Sequence, residues 1–287
     1  MGDMSVRTVT VLGAGTMGHG IAHAAAVSGF QTRLYDVSDA QLASADGAIR
    51  RILAKAVDLG KLTATDADAA LGRLETCSDV SRALDGTEFV IEAAPERIDL
   101  KLKLMADIER AAPPAAVIAT NTSALSITEM AGAIATPGRL AGMHFFNPVH
   151  KMRLIEIVRA LETTPATLET VEAVARRMGK ETVLVNEAPG FITTRVNASI
   201  GNEAFYMLME GVASAPDIDK ALKLGLNHPM GPFELVDLVG LDTRLSILEY
   251  LHRSMGEKYR PCPLLAQYVR AGRLGRKVGR GVYIYDG

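Results

Sequence analysis

Apolar residues in the first two thirds of the chain come in short runs, separated by longer stretches in which they recur at helical spacing. Residues Thr8–Leu12, Gln31–Tyr35, Phe89–Glu92, Val117–Thr120, 140–144, 154–158 and 182–185 read as strands. Between them, Met17, Ile21, Ala24, Ala25 and Ser28 form one helical stripe, which Gly29 is placed to end. Ile49, Ile52, Leu53, Ala56 and Leu59 form a second. Residues 66–71 read as a further helix, and Ile98, Leu102, Met105 and Ile108 mark another. Ser126 and Glu129 have capping-box spacing, and Thr164-Pro165 is a cap followed by proline at the first helical position. Strand–helix alternation of this kind predicts an α/β fold with a doubly wound, mostly parallel sheet.

The pattern changes at Asn186-Glu187-Ala188-Pro189-Gly190, the strongest boundary signal in the chain. Beyond it the strand pattern nearly vanishes. Helices are predicted over 191–211, over 216–224 with Ser214 as cap, over 232–239, over 243–255 behind Asp242, and over 264–271. Two domains follow: residues 1–187, and an all-helical domain over 188–287.

Composition supports this division. The 287 residues leave room for about two domains. With 31 Lys+Arg against 33 Asp+Glu the formal net charge is −2, which excludes a strongly basic nucleic-acid binder. A 48% hydrophobic content excludes a disordered chain. No apolar run approaches the roughly 20 residues needed to cross a bilayer. Residues 1–11 read as too short and polar for a signal peptide. Cys77 and Cys262 stand in no metal-like spacing and read as free thiols of a cytoplasmic protein. No metal, membrane or nucleic-acid partner is expected.

Gly13-Ala14-Gly15-Thr16-Met17-Gly18 follows a strand and opens a helix, the context in which G-x-G-x-x-G signals a dinucleotide. Gly13 allows the turn, Gly15 lets the backbone approach a pyrophosphate, and Gly18 lets helix and strand pack closely. The N–H groups of Thr16, Met17 and Gly18 at the helix N-terminus favour phosphate. Asp36, at the end of the second strand, is suited to accept both ribose hydroxyls of NAD and to repel the extra phosphate of NADP. Arg33 stands close by in sequence.

Three further residues are unusual for a core. His144 should sit at the carboxyl end of its strand, which Pro148 stops; in open α/β sheets that edge faces the ligand crevice. Glu156 interrupts an apolar strand and needs a partner, which an imidazole would supply. Ser123 follows another strand at the same edge, where it could bond a substrate hydroxyl. Each has an ordinary structural counterpart: a satisfied histidine, a solvated acid, a helix cap. Beside a dinucleotide site they suggest a base poised to take an alcohol proton.

These strings, with Glu92-Ala93-Ala94-Pro95-Glu96, Asn121-Thr122-Ser123, His144-Phe145-Phe146-Asn147-Pro148, Pro189-Gly190-Phe191, His228-Pro229-Met230-Gly231-Pro232 and Gly279-Arg280-Gly281-Val282-Tyr283, resemble the 3-hydroxyacyl-CoA dehydrogenase family over essentially the whole chain. The resemblance implies a Rossmann-type NAD-binding domain, a helical dimerisation domain, and reversible oxidation of an (S)-3-hydroxyacyl-CoA, with 3-hydroxybutyryl-CoA the expected substrate. It implies His144 as general base, Glu156 as the acid that orients it, and Ser123 as a substrate contact. Implied cofactor contacts are Gly13, Gly15, Gly18, Asp36, Glu96, Lys101, Asn147 and Lys277, with Asn121 a further one.

One position departs from the family string Pro-Gly-Phe-x-x-Asn-Arg: Thr194 stands where many members have the substrate-contacting Asn. Asn197, one helical turn on, could contribute from the same face. Arg50, Arg51, Lys55 and Lys61 lie on or just past the second helix, in the segment that borders the acyl-CoA cleft of the family. Arg51 and Lys55 are candidates for the phosphates of coenzyme A, against the alternative of a basic solvated face. An NAD-dependent dehydrogenase of another hydroxy acid, such as a sugar acid, and a non-catalytic NAD-binding relative remain open alternatives.

Overall fold

The computed structural model describes residues 6–285. Residues 1–5, part of the N-terminal stretch read above as carrying no leader, and residues 286–287 lie outside the described residues. The chain divides between Glu187 and Ala188 into two compact units.

The first unit runs β1 (Thr8–Leu12), α1 (Gly18–Val27), β2 (Gln31–Tyr35), α2 (Asp39–Asp58), α3 (Ala64–Gly72), β3 (Leu74–Cys77), α4 (Val80–Leu84), β4 (Phe89–Glu92), α5 (Ile98–Ala111), β5 (Val117–Thr120), α6 (Ile127–Ala131), β6 (Leu140–Phe145), β7 (Leu154–Arg159), α7 (Pro165–Arg177) and β8 (Glu181–Asn186). The strands form one eight-stranded sheet in the order β3-β2-β1-β4-β5-β6-β7-β8. Every ladder is parallel except β6–β7. The order reverses beside β1, which pairs with β2 on one side and β4 on the other, so crossovers leave in opposite directions and open a crevice at the strand ends. β1 and β4 are buried almost throughout, as a sheet covered on both faces requires.

Side-chain caps set several helix starts. Ser38, Thr63, Ser126 and Thr164 each accept from a backbone N–H in the first turn of α2, α3, α6 and α7. Two elements escaped the hydrophobic pattern. β3 is four residues long, mostly half-exposed, and gives no apolar run. α4 is a short helix started by Asp79, whose carboxylate accepts from the N–H groups of Ser81 and Arg82.

The second unit holds α8 (Thr193–Met209), α9 (Ala215–Gly225), α10 (Pro232–Val239), α11 (Leu241–Met255) and α12 (Pro263–Arg270). Phe205, Phe233, Leu241, Leu248, Leu251 and Leu265 are central to its core. Two buried acids tie it together. Asp219 of α9 accepts the N–H groups of Phe233 and Glu234 at the start of α10 and the hydroxyl of Tyr283. Asp237 accepts the N–H groups of Val282 and Tyr283 and the hydroxyl of Tyr285. Two helix starts differ from expectation by two residues. α8 begins at Thr193 rather than 191, because Gly190 and Phe191 both take positive φ (72° and 50°) and turn the chain. Asp242 is not a cap: α11 starts at Leu241 behind Gly240 (φ 107°), and the Asp242 carboxylate, inside the first turn, pairs with Lys277.

Candidate active site

The glycine loop joins β1 to α1, and its glycines answer different demands. Gly13 has φ 104°, and a Cβ there would stand 2.7 Å from the Ala93 carbonyl oxygen, so β1 and β4 end too close together for any side chain. A Cβ on Gly18 would fall 1.7 Å from the Gly13 carbonyl oxygen. A Cβ on Gly15 would meet nothing within 4 Å. The fold therefore does not require glycine at 15, and the space beside it is open. No side chain caps the N-terminus of α1, which leaves its first N–H groups directed at that space. Open room at Gly15 above an uncapped helix fits a dinucleotide pyrophosphate.

Asp36 follows β2 and turns back to this loop. Its Oδ2 accepts the Ala14 N–H at 2.9 Å and its Oδ1 the Ser38 N–H at 3.0 Å. The Arg33 guanidinium is engaged elsewhere, with the carbonyls of Ala83 and Asp85 and with Glu75 at 3.7 Å.

The ends of β4, β5 and β6 are bound into one array. Asn121 accepts the Phe145 N–H at 2.9 Å through its side-chain oxygen, which ties the end of β5 to the end of β6. Glu96 Oε1 accepts the Thr122 hydroxyl at 2.6 Å and the N–H groups of Ser123 and Ala124 at 2.8 and 3.2 Å, so Ser123 is held at this edge by a carboxylate that follows the neighbouring strand β4. Lys101 is not a solvated residue. It is 1% exposed in the first turn of α5, and its ammonium donates to Glu92 Oε1 at 2.6 Å and to the Ala94 carbonyl at 3.1 Å, with Glu96 Oε2 at 3.7 Å. Glu92, fully buried, also accepts the Ala94 N–H and the Thr120 hydroxyl. The sequence reading did not single out Glu92; its signal was an acid closing an apolar strand.

His144 and Glu156 lie directly opposite one another in the antiparallel β6–β7 ladder, which puts both side chains on one face. His144 Nδ1 stands 2.7 Å from Glu156 Oε2, with His144 5% and Glu156 0% exposed. The Phe146 ring lies 4.6 Å from the imidazole, centroid to centroid. Asn147 and Pro148 follow, exposed.

The remaining candidates are placed apart from this array in the first unit or within the second. Arg51 and Lys55 are exposed on α2; Arg50 is paired with Asp46. Thr194 and Asn197 are half-buried on α8. Lys277 is exposed, with its ammonium 2.6–2.7 Å from both Asp242 carboxylate oxygens. Among the described residues no group of three or more His, Cys, Asp or Glu could hold a metal ion.

A glycine loop at a sheet's switch point, an acid after β2 and a buried His–acid pair at the carboxyl edge define a Rossmann-type, NAD-binding dehydrogenase class. The chain belongs to the 3-hydroxyacyl-CoA dehydrogenase family: residues 8–188 match its NAD-binding domain and residues 190–285 its C-terminal domain. It is 44% identical over 284 residues, 99% of both chains, to a probable 3-hydroxybutyryl-CoA dehydrogenase of Bacillus subtilis. It is 42% identical to a 3-hydroxyadipyl-CoA dehydrogenase of Escherichia coli, covering 98% of this chain and 59% of that one. The crystal structure of an (S)-3-hydroxybutyryl-CoA dehydrogenase from Ralstonia eutropha superposes with a TM-score of 0.95 at 43% identity, covering 99% of this chain and all of the other.

Proposed function

We propose that the protein interconverts an (S)-3-hydroxyacyl-CoA and its 3-oxoacyl-CoA, with 3-hydroxybutyryl-CoA as substrate and His144 as the acid–base group. The observation that carries this reading is the buried 2.7 Å contact of His144 Nδ1 with Glu156 Oε2 at the carboxyl end of β6. With Nδ1 committed to the carboxylate, the imidazole is fixed in orientation, and Nε2 is the atom that takes the proton of the 3-hydroxyl. Glu156 then balances the charge of the imidazolium. NAD, when bound, supplies the hydride acceptor. Its pyrophosphate is assigned to the 13–18 loop and its adenosine ribose to Asp36, while the engagement of Arg33 with Glu75 and two carbonyls favours NAD over NADP. Glu96, Asn121, Asn147 and Lys277 are assigned to the nicotinamide end, Lys101 standing behind Glu96. Ser123, with Thr194 and Asn197 of the helical unit, is assigned to the substrate, and Arg51 and Lys55 to the phosphates of coenzyme A.

The test is reduction of acetoacetyl-CoA with NADH and NADPH in parallel. Rapid NADH-dependent turnover that disappears in His144→Gln is expected. Tight NADH binding without turnover would overturn the reading. A homodimer formed through the helical unit belongs to the same proposal, and sedimentation at a mass of one chain would remove that part of it.

A further inference from the structure

Two carboxylates far apart in sequence grip one short segment of the first unit. Residues 122–128 follow β5, carry Ser123 and run into α6. At the front, Glu96 Oε1 holds Thr122, Ser123 and Ala124, and the Leu125 N–H donates to the Thr122 hydroxyl oxygen at 3.0 Å. At the back, Glu187 takes four donors. Its Oε1 accepts the Ser126 hydroxyl at 2.7 Å and the Ile127 N–H at 3.0 Å. Its Oε2 accepts the Thr128 N–H at 2.9 Å and the Thr128 hydroxyl.

Glu187 reaches this segment from the far end of the unit. It is half-buried, its own N–H donates to the Arg159 carbonyl at 2.9 Å just past β8, and it is the last residue of the first unit. The Thr128 hydroxyl in turn accepts the Leu161 N–H at 3.1 Å, which adds the turn after β7 to the same knot. Ile127 is fully buried and seats α6 on β6: a Cβ at Gly142, two residues before His144, would stand 2.5 Å from its Cδ1.

A helix start needs less than this. Ser126 already caps α6 by accepting the Glu129 N–H at 3.1 Å. α6 spans five residues, too few for helix stability to account for a second carboxylate grip. What Glu187 adds is location. Glu96 fixes the near end of the segment and Glu187 the far end, so the intervening Ser123 loses the freedom that a loop pinned at one end would keep. A group that must meet a reacting atom gains most from such fixing.

We infer that Glu187 is a positioning residue, whose carboxylate holds Ser123 in place by way of Ser126, Ile127 and Thr128. In the proposed reaction, on which this role rests, Ser123 contacts the substrate.

The test is a double-mutant cycle on the full-length protein, read by acetoacetyl-CoA reduction. Glu187→Gln keeps the size of the side chain but turns one accepting oxygen into an amide NH2, which opens one side of the grip. The KM for acetoacetyl-CoA should rise about tenfold, the loss expected for hydrogen bonds to a charged group, while the KM for NADH stays within about twofold. Glu187→Asp, which keeps the carboxylate, should recover part of the loss. Ser123→Ala should raise the same KM. The double variant of Ser123→Ala and Glu187→Gln should match Ser123→Ala alone to within about twofold, because the grip then has nothing left to position. A merely structural carboxylate would lower the folded fraction instead, cutting apparent kcat with both KM values unchanged and adding its effect to that of Ser123→Ala. Either result overturns the inference and leaves the reaction standing. Amide exchange followed by mass spectrometry reads the grip without turnover: exchange over 122–128 should quicken about tenfold in Glu187→Gln, with the sheet unchanged. Unchanged exchange there overturns the inference whatever the kinetics. Quickened exchange, with no acetoacetyl-CoA reduction by the unmodified protein, keeps the grip and overturns the reaction.

Discussion

Two carboxylates, Glu92 and Glu156, lie fully buried in the same sheet, and their surroundings give them opposite capacities. Glu92 faces the ammonium of Lys101 at 2.6 Å, with an N–H and a hydroxyl completing its shell. Every partner of this carboxylate holds β4, β5 and α5 together, so the pair is a supporting contact. Glu156 faces an imidazole at 2.7 Å. In the proposed reaction that imidazole is the group that takes up and releases the proton. Burial is the same in both places; the partner differs, and the proposed reaction turns on that difference.

The comparison breaks most visibly at His144. His144→Gln keeps a hydrogen-bonding side chain but cannot carry the proton, so kcat should fall by about 10³-fold, within the range of acid–base contributions. NADH affinity measured by fluorescence should stay within a few-fold. Turnover close to that of the unmodified protein would put His144 back among structural histidines.

Glu156→Gln is the next step down. The amide oxygen can still accept from Nδ1–H, which preserves the ring's orientation, yet nothing then balances the imidazolium. A loss of about 10²-fold in kcat, with little change in KM, is expected from steady-state kinetics. An equal rise in KM alone would instead make Glu156 a packing residue.

Glu92→Gln should reverse the pattern, costing stability rather than turnover. It removes the nearer counter-charge of buried Lys101 and leaves only Glu96 at 3.7 Å, a change expected to cost about 3 kcal/mol of unfolding free energy. Denaturant titration reads the loss, and kcat of the folded fraction should stay within a few-fold. Lys101→Met in the same chain should recover part of it, because removing both charges leaves no orphan. A 10²-fold loss of kcat in folded Glu92→Gln would erase the distinction between the two acids.

How much of this was legible in the sequence follows from the range of each interaction. The strand–helix alternation and the glycine loop rest on local periodicity and backbone demands, which short strings carry. His144, Glu156 and Ser123 stood out because each is polar where its strand or strand end should be apolar or plain. The juxtaposition of His144 and Glu156 depends on the antiparallel β6–β7 register, which a one-residue slip would destroy and which no local pattern states. Lys101 reads as an exposed helix residue until the fold places Glu92 beneath it. β3 and α4 were missed because a four-residue edge strand and a one-turn helix hold too few apolar positions to form a pattern. Asp242 resembles a cap in sequence, but the positive φ of Gly240 starts the helix two residues earlier.

Asp36 extends the comparison to a third acid at a strand end, with the smallest expected effect. It has neither a buried lysine nor an imidazole opposite it; its oxygens accept the N–H groups of Ala14 and Ser38 and it remains partly exposed. An acid so placed leaves lone pairs for ribose hydroxyls, and its charge opposes a second phosphate there. Asp36→Asn keeps the acceptor for Ala14 but removes the charge. The KM for NADH should then rise about tenfold, one charge-assisted hydrogen bond's worth, with kcat unchanged because the proposed proton-transfer pair, His144 and Glu156, lies elsewhere on the sheet. Discrimination against NADPH should narrow at the same time, since the repulsion is gone while Arg33 stays bound to Glu75 and adds no new attraction. Parallel steady-state assays with the two cofactors read both quantities. A rise in KM for NADH with undiminished rejection of NADPH would mean that Asp36 holds the glycine loop in shape and leaves cofactor choice to other groups.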